Sequence, residues 1–148
     1  MIRTQFEYGF DFKTDVVGRY KSAEGVAIAQ GLLVDLDDDG EVAVSDEVKY
    51  FLMQEVTLDG PSWEERQRGI VQYDVKAGSY VPLIQARVGN IIRTKNVAEN
   101  GGGDIVVGDL FDVSDGVFVK DGAGTKAECI EVVDSTDGVY RLRILEVD

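Results

Sequence analysis

The sequence predicts an all-β fold, a sandwich or barrel built from two related hairpin units, with one short helix near 62–68. Three observations lead there. Short apolar runs recur with turn signals at intervals of about ten residues, the spacing of short antiparallel strands. Two of those runs share a skeleton. Gln30 to Val44 reads QGLLVDLDDDGEVAV, and Asp104 to Val119 reads DIVVGDLFDVSDGVFV. Each has Gly, Leu, an apolar residue and Asp, then Asp-Gly, then alternating apolar positions. Gly31 matches Gly108 (108 − 31 = 77) and Gly40 matches Gly116 (116 − 40 = 76). Downstream, Glu55 falls against Glu131 at the same offset (131 − 55 = 76). Two copies are too few and too long for a solenoid, so they read as two halves of one β-domain.

The elements follow in chain order. Phe6, Tyr8, Phe10 and Phe12 alternate, and period-two spacing places them on one face of an extended strand. That face is either a first core strand or, over residues 1–13, an extended arm laid on a neighbouring subunit. Gly25 to Asp35 is a strand run broken at Gly31, where a glycine marks a bulge or a close backbone approach. Asp37 to Gly40 turns the chain and Glu41 to Ser45 returns it. Lys49 to Leu58 is a third apolar run. In Gly60 to Gly69, Ser62 and Glu65 stand at capping-box spacing, Pro61 precedes them and Gly69 closes the stretch. A helix of two turns is unstable alone, so Trp63 is expected to pack on the sheet. Ile70 to Asp74, Tyr80 to Val88 and Ile91 to Thr94 read as short strands. Pro82 lacks an N–H, which predicts an edge strand. Lys126 to Val133 is strand-like and holds Cys129 as a small buried side chain. In the last strand Tyr140, Leu142 and Ile144 share one face, and Arg141 and Arg143 the other.

Composition narrows the chemistry. The chain has 148 residues, 44% of them hydrophobic, which is enough for one domain with a real core. No apolar run approaches the length of a membrane span, and the first residues lack the apolar core of a signal peptide. The net charge is −13, which opposes nucleic acid and anionic membrane surfaces as partners. One cysteine allows no intrachain disulfide. The absence of histidine excludes Ser-His-Asp and Cys-His mechanisms and the usual zinc sites. Carboxylates are plentiful, but nothing marks the pair a glycoside hydrolase needs. Arg66, Arg68, Arg87, Arg93 and Lys95 form a basic minority, read either as surface ion pairs or as docking charge.

One local motif carries metal chemistry. Asp35, Asp37 and Asp39 alternate ahead of Gly40, as in the opening of a calcium loop, and Asp46 stands at the twelfth position. Against calcium, the flanks read as strands, Asp46 is shorter than the usual Glu, and the second copy loses the spacing. The competing reading is a hairpin turn, where Asp and Gly are favoured for backbone geometry.

The stretch VGNIIRTKNVAENGGGDIVVGDLFDVSDGVFVKDGAGTKAECIEVV and the closing GVYRLRILEVD resemble the small head decoration, or cement, proteins of tailed bacteriophages. The likeness rests on Gly108, Asp109 and Leu110, then Asp115 and Gly116, then Tyr140 to Leu145. It covers the second half of the chain, and reaches the first half only through the internal repeat. It implies a non-enzymatic protein on the outer surface of a virion, made in the host cytoplasm. The implied partner is the major capsid protein, with a homotrimer the favoured oligomer and no cofactor. Phe6, Tyr8, Phe10 and Phe12 are then a physical guess at the subunit or capsid interface. The alternative is a calcium-supported β-sandwich binding module, with carbohydrate as one candidate ligand.

Overall fold

The computed structural model describes residues 4–23, 28–29, 31–53, 74–75, 80–101 and 103–148. Those residues form strands and turns, arranged in two main sheets that face each other across a shared core. The capping-box stretch at 62–68, with Trp63, lies outside the described residues, as do Arg66 and Arg68.

The larger sheet has seven strands. In spatial order they are β1 (Thr4–Tyr8), β9 (Ile91–Thr94), β14 (Val139–Ile144), β13 (Ala127–Asp134), β11 (Leu110–Ser114), β12 (Val117–Lys120) and β10 (Val97–Ala98). Only β10 and β12 run parallel. The chain path constrains this sheet's shape. β9 and β10 are near opposite ends of the order, yet Thr94 and Val97 are three residues apart. Three Cα steps span at most about 11 Å. The sheet must therefore roll until its ends approach, which gives the sandwich a barrel-like half.

The smaller sheet has five antiparallel strands: β2 (Val16–Lys21), β8 (Tyr80–Gln85), β6 (Tyr50–Leu52), β4 (Leu33–Leu36) and β5 (Val42–Val44). A separate pair joins β3 (Ile28–Ala29) to β7 (Asp74–Val75). The break between β3 and β4 falls at Gly31, whose φ is +84°. A Cβ there would collide with the Thr4 side chain, so glycine is required for close approach.

β8 is not an edge strand; it lies between β2 and β6. Pro82 is tolerated because of where its missing donor falls. Its carbonyl accepts from Met53 N at 3.0 Å, so its nitrogen faces the same neighbour, just past the end of β6. No bond inside either ladder is lost.

The shared core takes alternate residues from both sheets. Leu33, Phe51 and Ile84 come from the smaller sheet; Ile92, Phe111, Phe118, Leu142 and Ile144 come from the larger. The alternation in β14 is the one its sequence indicates: Tyr140, Leu142 and Ile144 are buried. Arg141 and Arg143 face out, paired with Glu131 and Glu128. Cys129 is buried beside them, and burial raises its thiol pKa. Leu32, Val34, Val42, Leu52, Val81 and Leu83 form a second buried cluster.

The two hairpins differ in their turns. β4 and β5 close through Asp37 to Glu41, with Asp37 N donating to Glu41 O and Gly40 at φ +74°. That is a three-residue loop ending in a left-handed glycine. β11 and β12 close through two residues, Asp115 (φ +50°) and Gly116 (φ +78°), the geometry of a primed hairpin turn.

The Asp115-Gly116 turn is also the stitch between the sheets. Gly116 N donates to Ser45 O at 2.7 Å, and Gly116 O accepts from Leu33 N at 3.0 Å. Buried Asn96 donates from Nδ2 to Gly116 O (2.7 Å) and to Gly31 O (3.1 Å). Asp115 N donates to the Asp46 carboxylate at 2.7 Å. The turn of one hairpin is thus seated on the backbone of the other.

Candidate functional site

The four alternating aromatics do not share a face. β1 pairs with β9 of its own chain, and the register skips at Glu7, where Phe6 faces Ile92 and Tyr8 faces Ile91. One extra residue in a strand breaks the alternation. Gly9 then turns the chain at φ +82°. As a result Phe6 and Phe10 pack inward. Their rings stack edge-on 5.1 Å apart, and both meet Phe51, at 5.6 and 6.1 Å. Tyr8 and Phe12 point outward. The run combines a core role and an exposed one.

Tyr8 ends β1, and Phe12 sits on the loop that follows, which is held by buried polar groups. Residues 9–15 form a tight turn in which Asp15 N donates to Asp11 O at 2.7 Å. The Asp15 carboxylate, whose side chain is only 1% exposed, accepts from Asp11 N (2.8 Å) and from Arg87 Nε (2.6 Å). These two bonds, the backbone amide foremost, hold its pKa below the ordinary aspartate value. Arg87 lies in the β8–β9 connection. There Asn90 Oδ1 accepts from Arg87 N at 2.6 Å, and Asn90 Nδ2 donates to Tyr8 O at 3.4 Å. Asn90 O also accepts from Ile144 N, and Gly89 N donates to Ile144 O. Two loops and the end of β14 are therefore fastened together through Asp15 and Asn90. Sequence reasoning missed both residues. The only available signal was a polar residue flanked by glycine and apolar runs.

A second loop follows the same plan. Asp109 accepts from Val106 N at 2.8 Å and pairs with Lys120 at 3.2 Å. The backbone bond, then the lysine, lowers its pKa despite some desolvation. Gly108 N donates to Cys129 O, which ties the loop to β13. This places the Gly108-Asp109-Leu110 phrase at the entrance to β11.

The acidic motif is used differently. Asp37 Oδ1 accepts from Asp39 N (3.0 Å) and Glu41 N (2.9 Å), a side chain closing its own turn. Asp35 accepts from Leu36 N and pairs with Lys49 Nζ at 3.4 Å. Asp39 is exposed at the turn tip. Asp46 holds the amide of Asp115, on the other hairpin. Among the described residues no group of three or more acids, cysteines or histidines is placed to hold a metal. Of the four candidate calcium ligands, Asp35, Asp37 and Asp46 already accept hydrogen bonds from backbone amides, and Asp39 stands exposed at the turn tip.

Among the described members of the basic minority, Arg87 and Arg93 are paired with carboxylates. Arg93 meets Glu7 at 3.0 Å, and Arg141 bridges Glu7 and Glu131 at 2.8 and 2.9 Å. This ladder covers the outer face of the larger sheet. Lys95 is exposed.

Compared with known proteins, the chain matches no family model, no curated protein and no solved structure.

Proposed function

We propose that this chain is a non-enzymatic structural protein that binds the outer surface of an assembled viral capsid and stabilises the shell. The observation that carries the reading is the likeness of its second half to phage head decoration proteins. The residues bearing that likeness share one sheet of the fold. Gly108 to Leu110 enters β11, Asp115-Gly116 turns into β12, and Tyr140 to Leu145 carries β14, all in the larger sheet.

The two hairpins support the reading of related units. Leu33 faces Phe51 and Val34 faces Tyr50; Leu110 faces Glu128 and Phe111 faces Ala127. Across each turn, Asp35 faces Ala43 as Asp112 faces Val119. Across the turn the registers keep the sequence offsets (112 − 35 = 77 and 119 − 43 = 76), whereas β6 maps on β13 at 77 (128 − 51 = 77), one residue away from the downstream sequence match. We read 1–148 as one β-domain containing both units.

On this reading the partner is the major capsid protein, and a homotrimer is the expected oligomer. Stabilisation arises by linkage: a protein that binds only the assembled shell shifts the equilibrium toward that shell. The test uses undecorated heads of the virus that encodes the chain, mixed with purified protein and sedimented. Co-sedimentation that saturates at a fixed ratio to the capsid protein supports the proposal. Failure to co-sediment removes it.

A further inference from the structure

We infer that Asn100-Gly101, in the connection between β10 and β11, is a site of spontaneous covalent modification at which the asparagine amide becomes a carboxylate. This does not depend on the function proposed above. The chemistry is intramolecular. The backbone nitrogen of Gly101 attacks the side-chain carbonyl carbon of Asn100, and a C–N bond forms. The side-chain nitrogen leaves as ammonia, taking up the proton that the Gly101 amide gives up. A five-membered succinimide ring remains. Water opens that ring at either of its carbonyls, giving aspartate or isoaspartate. The net reaction consumes one water and releases one ammonia, with no oxidation or reduction.

The attack needs an unhindered nitrogen, a side-chain amide free to turn, and a backbone N–H that is not committed elsewhere. The chain has three asparagines, and they meet these needs unequally. Asn90 precedes Ile91 and Asn96 precedes Val97, both branched at Cβ, whereas Asn100 precedes a glycine. Asn90 Oδ1 accepts from Arg87 N and its Nδ2 donates to Tyr8 O. Asn96 Nδ2 donates to the carbonyls of Gly31 and Gly116. Both side chains are buried and held. Asn100 is exposed, and its side chain makes no hydrogen bond among the described residues. Gly101 is exposed too. Its N–H has no backbone acceptor among the described residues, and a Cβ built on it would meet nothing within 4 Å.

The Asp115-Gly116 turn shows what commitment looks like. Asn100 and Gly101 have φ of +51° and +72°, and Asp115 and Gly116 have +50° and +78°. Both pairs thus place two residues in the left-handed region, which asparagine and aspartate tolerate better than most side chains. At the second pair, however, Gly116 N donates to Ser45 O, and a Cβ would collide with Val44 and with the Leu33 carbonyl. Similar φ values are locked at one turn and open at the other.

Conversion takes the net charge from −13 to −14 (−13 − 1 = −14). The new carboxylate follows exposed Glu99 directly, in a connection that also carries exposed Asp104. The isoaspartate product adds a methylene to the main chain there as well.

The test incubates the purified chain in warm, mildly alkaline buffer, folded and also unfolded in guanidinium chloride, beside the variant Asn100→Gln. Isoelectric focusing reads the charge, and peptide mass locates the altered residue. Folded wild type should accumulate one more acidic form that maps to Asn100, at a rate close to that of the unfolded chain. Asn100→Gln would have to close a less favourable six-membered ring, so it should lose that form. The Asp-Gly pairs isomerise without a change of charge and do not enter the readout. An Asn100 that stays an amide in the folded chain overturns the assignment, whatever the unfolded chain does. So does an acidic form of the folded chain that maps to Asn90 or Asn96, or one that persists in Asn100→Gln.

Discussion

Gly116 is the residue on which most of the architecture bears. Its φ of +78° is a region that other residues occupy only with strain. A Cβ there would lie 2.7 Å from Val44 Cγ1 and 2.9 Å from Leu33 O. Gly40 has a similar φ of +74° but open space around it. The two glycines each stand at a hairpin turn and separate strain from packing. Gly40→Ala should cost about 1 kcal/mol, from backbone strain alone. Gly116→Ala adds overpacking and should cost about 2–4 kcal/mol. Urea denaturation of the two variants measures the difference, and equal losses would contradict the seated turn. Asp15 supports a prediction in pH. Its folded pKa is lowered, as are those of Asp109 and of Asp148, which Lys126 and the Val48 amide hold. A lowered carboxylate contributes stability that is present above its unfolded pKa, about 3.9, and is lost as pH falls through the folded value. Melting temperature should therefore decline as pH drops below the ordinary aspartate range. Asp15→Asn, which keeps the shape but not the charge, should show a shallower acid limb. An unchanged limb would contradict the role given to Asp15.

At the scale of elements, the acid-rich β4–β5 turn is a closed hydrogen-bonded loop. Asp37 bonds two backbone amides, Asp35 has Lys49, and Asp46 has Asp115. Millimolar calcium should leave the melting temperature unchanged, and so should a chelator. A rise with calcium that the chelator reverses would show that the carboxylates rearrange around an ion. Much of this level was legible in the sequence. β9 occupies the span Ile91–Thr94 read from its apolar run, and the alternation in β14 matches its burial. Local pattern sufficed because each strand buries one face. The aromatic run was misread because a bulge at Glu7 is a tertiary feature, set by pairing with β9 rather than by spacing. Pro82 was assigned to an edge by a rule about missing donors, but its nitrogen falls where β6 has already ended. The loop group at the end of the larger sheet was not legible at all. Tyr8, Val88 and Val107 are distant in the chain, and only the strand register brings their loops together.

For the whole molecule, the two sheets are joined across their core and through the Asp115-Gly116 turn. One end of the larger sheet carries loops 9–15, 86–90 and 104–109 together with the polar loop 121–126, and the other carries Asp134 to Gly138. Binding at many equivalent sites on a closed shell would then oppose disassembly. At free protein a hundredfold above the dissociation constant, each occupied site adds about 2.7 kcal/mol in favour of the assembled state. The most direct measurement is the disruption temperature of undecorated heads, taken with and without saturating purified protein. The account predicts a clear rise in the presence of the protein. Heads that disrupt at the same temperature with and without the wild-type chain would contradict it.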